Sequence, residues 1–177
     1  MKINTEINCL QSNNIPVSIG EGSISGDSET CEGDTIQLTS TGTPDSTSPW
    51  NSSNTNVATV DNNGLVSTIT SGTTNITFTT DNGCLVTHPI EVFEIPIINQ
   101  NINLYGCDDD LDGIVDFDSS TIENTILNGQ SGMTISYSDS SGNPLSSPLP
   151  NPFNSGNQTI TARIENSQRS QCFKKIL

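Results

Sequence analysis

The stretch VATVDNNGLV, residues 57–66, decides the fold. Val57-Ala58-Thr59-Val60 is a short run of strand-forming residues. Asp61-Asn62-Asn63-Gly64 supplies turn chemistry, with an Asn-Gly step suited to a hairpin, and Leu65-Val66 begins the return strand. Working outward toward the N-terminus, Thr35-Ile36-Gln37-Leu38-Thr39 alternates with a period of two, which turns Ile36 and Leu38 inward. Ile24 sits in a still earlier strand. A loop bounded by Pro44 and Pro49 leads to Trp50, the only tryptophan, which opens the next strand and is expected to pack on a core disulfide. On the other side, Asn75-Ile76-Thr77-Phe78-Thr79 is a further strand, and Asp81-Asn82-Gly83 turns the chain into one opened by Cys84. Seven or so short strands at this spacing predict an antiparallel β-sandwich. Long amphipathic helical patterns are absent apart from one possible helix over residues 119–127.

Composition agrees with an ordered β-protein. Of the 177 residues only 31% are apolar and 5% aromatic, but Ser, Thr, Asn and Gly fill the polar positions, as befits strands with polar outer faces. The length allows one large domain or two small ones, each with a modest core. Twenty acidic against five basic residues give a formal charge of −15, which argues against nucleic acid or an anionic membrane as partner. No apolar run approaches the roughly 20 residues of a transmembrane helix. The first ten residues do not read as a signal peptide, so any export signal is expected outside this sequence.

The second organising stretch is CDDDLDGIVDFD, residues 107–118. Asp108, Asp110 and Asp112 alternate, Gly113 follows, and Asp116 and Asp118 come next. Such spacing folds oxygen ligands around a hard cation, with a backbone carbonyl at the seventh position, here Ile114. Ca2+ is the expected occupant. Position twelve, where a bidentate Glu closes a helix-loop-helix calcium site, is Ser119, so Asp116 or Asp118 must close this one. The competing reading is a solvated acidic turn. A catalytic carboxylate pair is weaker still, because adjacent exposed aspartates offer no acid with a raised pKa.

Five cysteines and one histidine do not make a zinc site. The expected pairs are Cys31 with Cys84 and Cys107 with Cys172, each closing one module; the alternative is reduced, buried cysteines in a cytosolic protein. The grammar of a cysteine followed by an apolar residue recurs at Cys9-Leu10, Cys84-Leu85 and Cys172-Phe173, as if three modules end this way. Residues 1–20 are then the tail of a preceding module, residues 21–94 a complete one, residues 95–102 a proline-stiffened linker, and residues 103–177 a second module. Cys9 would close the preceding module or remain a free thiol.

Three strings carry resemblances to known families. CEGDTIQLTSTGTP, WNSSNTNVATVDNNGLV and GTTNITF, between residues 26 and 93, resemble bacterial Ig-like domains of group 2, the type found in invasin and intimin stalks. Residues 105–172 resemble a module repeated in large surface proteins of gliding bacteria exported by the type IX secretion system. There Leu usually follows the position of Asp118, and Ser119 stands here, which would weaken the packing of that turn. The resemblance implies two tandem antiparallel Ig-like β-sandwiches in a secreted, non-catalytic cell-surface adhesin. Its partners would be neighbouring modules of the same long chain, with surface polysaccharide or substratum at a distal tip. The alternative is a carbohydrate-binding or accessory stalk module of a secreted polysaccharide-active enzyme, using loops near residues 43–49 or 140–152. Trp50, Tyr105 and Tyr137 are too dispersed for a sugar platform and are expected in the core. His88, before Pro89, lacks an accompanying nucleophile motif. Thr35 and Ser46 lie in short strings that match O-glycosylation acceptors in these bacteria.

Overall fold

A computed structural model describes residues 22–98 and 102–176. The chain divides into two compact units, Met1–Glu94 and Ile95–Leu177. Cys9 and the N-terminal tail lie outside the described residues.

The first unit contains β1 (Ser23–Ser25), β2 (Glu29–Cys31), β3 (Thr35–Gln37), β4 (Thr39–Thr41), β5 (Trp50–Ser52), β6 (Ala58–Val60), β7 (Leu65–Thr68), β8 (Gly72–Thr79) and β9 (Leu85–Phe93). A four-stranded sheet β2-β9-β8-β5 faces a three-stranded sheet β3-β7-β6, with a short β1-β4 ribbon beside them. Ile36, Leu38, Trp50, Val57, Ala58, Val66, Ile76, Phe78, Ile90 and Val92 form the core between them. The period-two reading of residues 35–39 therefore holds: Ile36 and Leu38 are buried and Thr35 is exposed. The run nevertheless divides at Leu38, whose amide donates to the Gly64 carbonyl, so that β3 pairs with β7 and β4 with β1. One pairing departs from the antiparallel expectation. β2 runs parallel to β9, with Cys31 opposite Phe93.

The hairpin foreseen at residues 61–64 joins β6 to β7, and its turn is organised by Asp61. Asn63 and Leu65 amides both donate to Asp61 Oδ1, at 2.9 and 2.8 Å. The Leu65 amide is the main reason that the Asp61 carboxyl sits below its ordinary pKa. Gly64 takes φ +79°, a left-handed conformation that favours glycine. An added Cβ there would lie 2.5 Å from the Leu38 carbonyl oxygen and 3.0 Å from Trp50 Cζ2. Trp50 is thus seated on the turn from one side and on Phe78 from the other, with ring centroids 4.8 Å apart and planes tilted by 54°. The tryptophan is in the core as expected, but its partners are a phenylalanine and a glycine rather than a disulfide.

The second unit carries β10 (Val115–Phe117), α1 (Ile122–Leu127), β11 (Met133–Ser138), β12 (Pro144–Leu145), β13 (Phe153–Ser155), β14 (Thr161–Asn166) and β15 (Phe173–Ile176). The sheet β12-β11-β14-β15 is antiparallel throughout, and β10 pairs with β13 in a separate ribbon. The helix falls where the sequence placed it, and buries Ile122 and Ile126 against Tyr137, Leu149, Phe153, Ala162, Ile164 and Ile176. Asn128 ends it in the left-handed region, its amide returning to the Asn124 carbonyl.

The segment read as a linker belongs to this unit. The Ile97 amide donates to Gln130 Oε1 at 2.7 Å, and Gln130 Nε2 donates to the Ile97 carbonyl at 2.9 Å. Ile98 and Ile102 pack on the second core. A glutamine amide can do this because it carries a donor and an acceptor side by side, mimicking one rung of a ladder.

Candidate functional site

Two features offer chemistry, the acidic loop and the cysteines. The loop precedes β10. Asp108, Asp110 and Asp112 each present a carboxylate oxygen within 4.8 Å of the others. Their partners so far are backbone amides of the loop itself. Asp108 Oδ2 accepts from Gly113 at 2.8 Å, Asp108 Oδ1 and Asp110 Oδ1 from Asp112 at 3.2 and 3.3 Å, and Asp112 Oδ1 from Ile114 at 2.8 Å. Positive φ at Leu111 (62°) and Gly113 (84°) bends the chain so that alternate aspartates converge. Oxygens bound to one calcium ion at roughly 2.4 Å can be no more than about 5 Å apart, so this group fits such an ion.

Asp116 and Asp118 are not in that group. Asp116 faces Asn154 across the β10-β13 ribbon and accepts its side-chain amide at 2.9 Å. Asp118 Oδ1 accepts the Ser120 amide at 2.9 Å just ahead of α1, and the bonds from Ser120, side chain first, hold its carboxyl below the ordinary range. The structure thus brings together the first three predicted ligands and gives the last two structural partners. Ser119 is also settled. It is buried, its hydroxyl donates to the Pro150 carbonyl at 2.7 Å, and its amide donates to Asn151 Oδ1 at 3.0 Å. Two hydrogen bonds replace the packing that a leucine would have supplied, so the turn is tied down in another way.

The predicted disulfide pairs do not form. Cys31 and Cys172 are disulfide-bonded, whereas Cys84 is a buried free thiol and Cys107 an exposed one. Strand register gives the reason for the first pair. Cys31 lies opposite Phe93, and Cys84 immediately precedes β9, nine residues back along that strand. At about 3.3 Å per residue this is roughly 30 Å, far beyond the ~7 Å that a disulfide tolerates between Cα atoms. Cys84 is instead held in the turn after β8, its amide donating to Thr80 Oγ1 at 3.0 Å. Cys107 lies beside β10, since its neighbour Gly106 abuts Val115, whereas Cys172 is buried next to the outer strand β15 of the other sheet. Cys31 is further fixed by Thr68, a buried residue whose hydroxyl donates to the Cys31 carbonyl at 2.9 Å. The length of β9 was the available signal against the Cys31 to Cys84 pair.

The remaining candidates are structural. His88 Nε2 lies 3.2 Å from the Asp27 carbonyl. Of Trp50, Tyr105 and Tyr137, all expected in the core, Trp50 and Tyr137 are buried, but Tyr105 is instead 90% exposed at a cleft of about 660 Å³ in the second unit. Thr47 and Ser48 amides cap Asp45, so the loop after Pro44 is a hydrogen-bonded turn. No helix among the described residues is long and apolar enough to cross a membrane.

Comparison with known proteins matches each unit to a different family. Residues 28–87 match the Bacterial Ig-like domain (group 2), and residues 103–176 match the Flavobacterium inter-domain disulphide bond domain. A search of the curated proteins finds no match. Among solved structures, the crystal structure of an EHEC O157:H7 intimin mutant is similar at 25% identity over 40% of this chain and 45% of that one, with a TM-score of 0.35.

Proposed function

From a chain that joins a group 2 bacterial Ig-like domain to a flavobacterial inter-domain disulphide bond domain, we propose a non-catalytic stalk segment of a secreted cell-surface adhesin. In this reading the disulfides of Cys31 and Cys172 staple the stalk covalently. The observation that carries it is the state of the cysteines. Cys31 and Cys172 are disulfide-bonded while Cys84 and Cys107 are free thiols. The description of the second family, an inter-domain disulphide bond domain, supports a covalent link to a neighbouring domain. A stable disulfide also belongs to an oxidising, extracellular setting.

Surface display has a direct test in the exposed Cys107 thiol. A membrane-impermeant maleimide applied to intact producing cells should label the native protein at Cys107. Labelling that appears only after lysis would contradict display at the surface.

Calcium is the second part of the proposal. Asp108, Asp110 and Asp112 would hold the ion, whose charge offsets their mutual repulsion and stiffens the turn into β10. Calorimetric titration of chelator-stripped protein should give saturable binding of about one ion per chain, lost when Asp110 and Asp112 both become Asn. Absence of heat, together with a melt unchanged by chelator, would reduce the loop to a solvated turn. Gliding motility and export by the type IX system remain the context in which such a stalk would act.

A further inference from the structure

The cleft of the second unit, about 660 Å³, brings together two stretches far apart in sequence, 102–105 and 155–160, over a floor that includes Ile122 and Ile126 of α1. Its volume falls within the range of about 300–1,000 Å³ usual for small-molecule sites. What a ligand would touch differs from what lies beneath. Ile122, Ile126, Phe153 and Ile176 line the cleft but are themselves buried. Left exposed at its mouth are the Tyr105 ring and, around it, the side chains of Asn103, Asn157, Gln158 and Thr159. Gln158 Nε2 donates to Ser155 Oγ. The Asn103 and Asn157 amides and the Thr159 hydroxyl make no hydrogen bond to other described residues. No charged residue lines the cleft, although the chain carries twenty acidic and five basic ones.

Tyr137 adds an independent observation. It stands in the same wall, 4% exposed, and its hydroxyl is buried without a hydrogen-bond partner. Buried hydroxyls are ordinarily paired, so this one calls for a ligand with hydrogen-bonding groups of its own. Tyr105 in turn is positioned by its neighbour. Gly106 packs so closely on Val115 of β10 that a Cβ would not fit, which fixes the backbone beside an exposed ring.

We propose that this cleft binds an uncharged glycan. One face of a pyranose ring is apolar C–H surface that suits the face of Tyr105, and its hydroxyls both donate and accept, as amide side chains do. An acidic saccharide would meet no cation in the lining and would be repelled by a chain of net charge −15. A purely apolar ligand would cover the amides at the mouth without pairing them. The inference goes beyond a stalk that only spaces, because the second unit would itself hold sugar, and it does not depend on where the chain is displayed.

The test is an NMR titration of the isotope-labelled full chain with neutral trisaccharides of glucose, mannose, galactose and N-acetylglucosamine, and with a uronic acid trimer for comparison. At least one neutral trisaccharide should shift the amide signals of residues 102–105 and 155–160 saturably, and the uronic acid trimer should not. Tyr105→Ala should weaken that binding about tenfold or more, as loss of an aromatic anchor does. Its melting should not change, since the ring is exposed, and Tyr105→Trp should keep the affinity. Absence of saturable shifts with all the neutral sugars would overturn the proposal. So would shifts confined to residues outside the cleft, or cleft shifts with the apolar probe N-phenyl-1-naphthylamine and none with sugar.

Discussion

Replacing Cys172 by Ser should lower the stability of the oxidised chain by about 2–5 kcal/mol, the usual loss when a native disulfide is removed. A loss of the same order is expected for Cys31→Ser. This pattern differs from that of the two pairs that spacing suggested. If each module closed on itself, Cys31→Ser would behave like Cys84→Ser, and Cys172→Ser like Cys107→Ser. Because Cys107 is an exposed free thiol, its replacement should change stability by less than about 0.5 kcal/mol. Guanidinium unfolding under non-reducing conditions, summed over the transitions, measures all four. A Cys172→Ser protein as stable as its parent would exclude a stabilising bond at that position.

Gly64→Ala should cost about 3 kcal/mol, from two separable causes. A non-glycine residue at φ +79° pays roughly 1–2 kcal/mol for the left-handed conformation. The new methyl would also lie 2.5 Å from the Leu38 carbonyl oxygen, a backbone atom fixed between β3 and β4 that cannot swing aside, and overpacking of this kind adds about 1–3 kcal/mol. Gly83 provides the control. Its φ of +81° is nearly the same, but an added Cβ meets nothing within 4 Å. Gly83→Ala should therefore show the conformational cost alone, and the difference between the two variants isolates the contact. Shrinking Trp50 to Phe would not rescue Gly64→Ala, because the closest contact is with the backbone. Thermal or chemical unfolding, followed through Trp50 fluorescence, reads both, and equal losses at the two glycines would refute the proposed packing of the turn.

The fold of the first unit was legible because local signals agreed. The buried Ile36 and Leu38, the turn at residues 61–64 and the position of Trp50 each follow from periodicity or turn chemistry. The short helix α1 was legible too, in the apolar spacing of Ile122 and Ile126. What sequence could not supply was the relation between distant strands. The parallel β2-β9 pairing sets Cys31 against Phe93 rather than near Cys84, and no local pattern encodes which end of a nine-residue strand a short one will join. The acidic loop divides in the same way. Asp108, Asp110 and Asp112 converge through local bends at Leu111 and Gly113, which the motif anticipates. Asp116 and Asp118 are taken by Asn154 and Ser120, one of them a partner 38 residues away. The segment after Glu94 looked like a spacer for want of any visible partner, and Gln130 is the partner, 33 residues on.

The most direct test of the central claim is peptide mapping of protein purified from its native source, alkylated before digestion and kept unreduced. The expected result is that Cys31 and Cys172 are recovered in disulfide-linked peptides, with Cys84 and Cys107 recovered as alkylated thiols. Recovery of Cys31 linked to Cys84, or of Cys107 linked to Cys172, would contradict it.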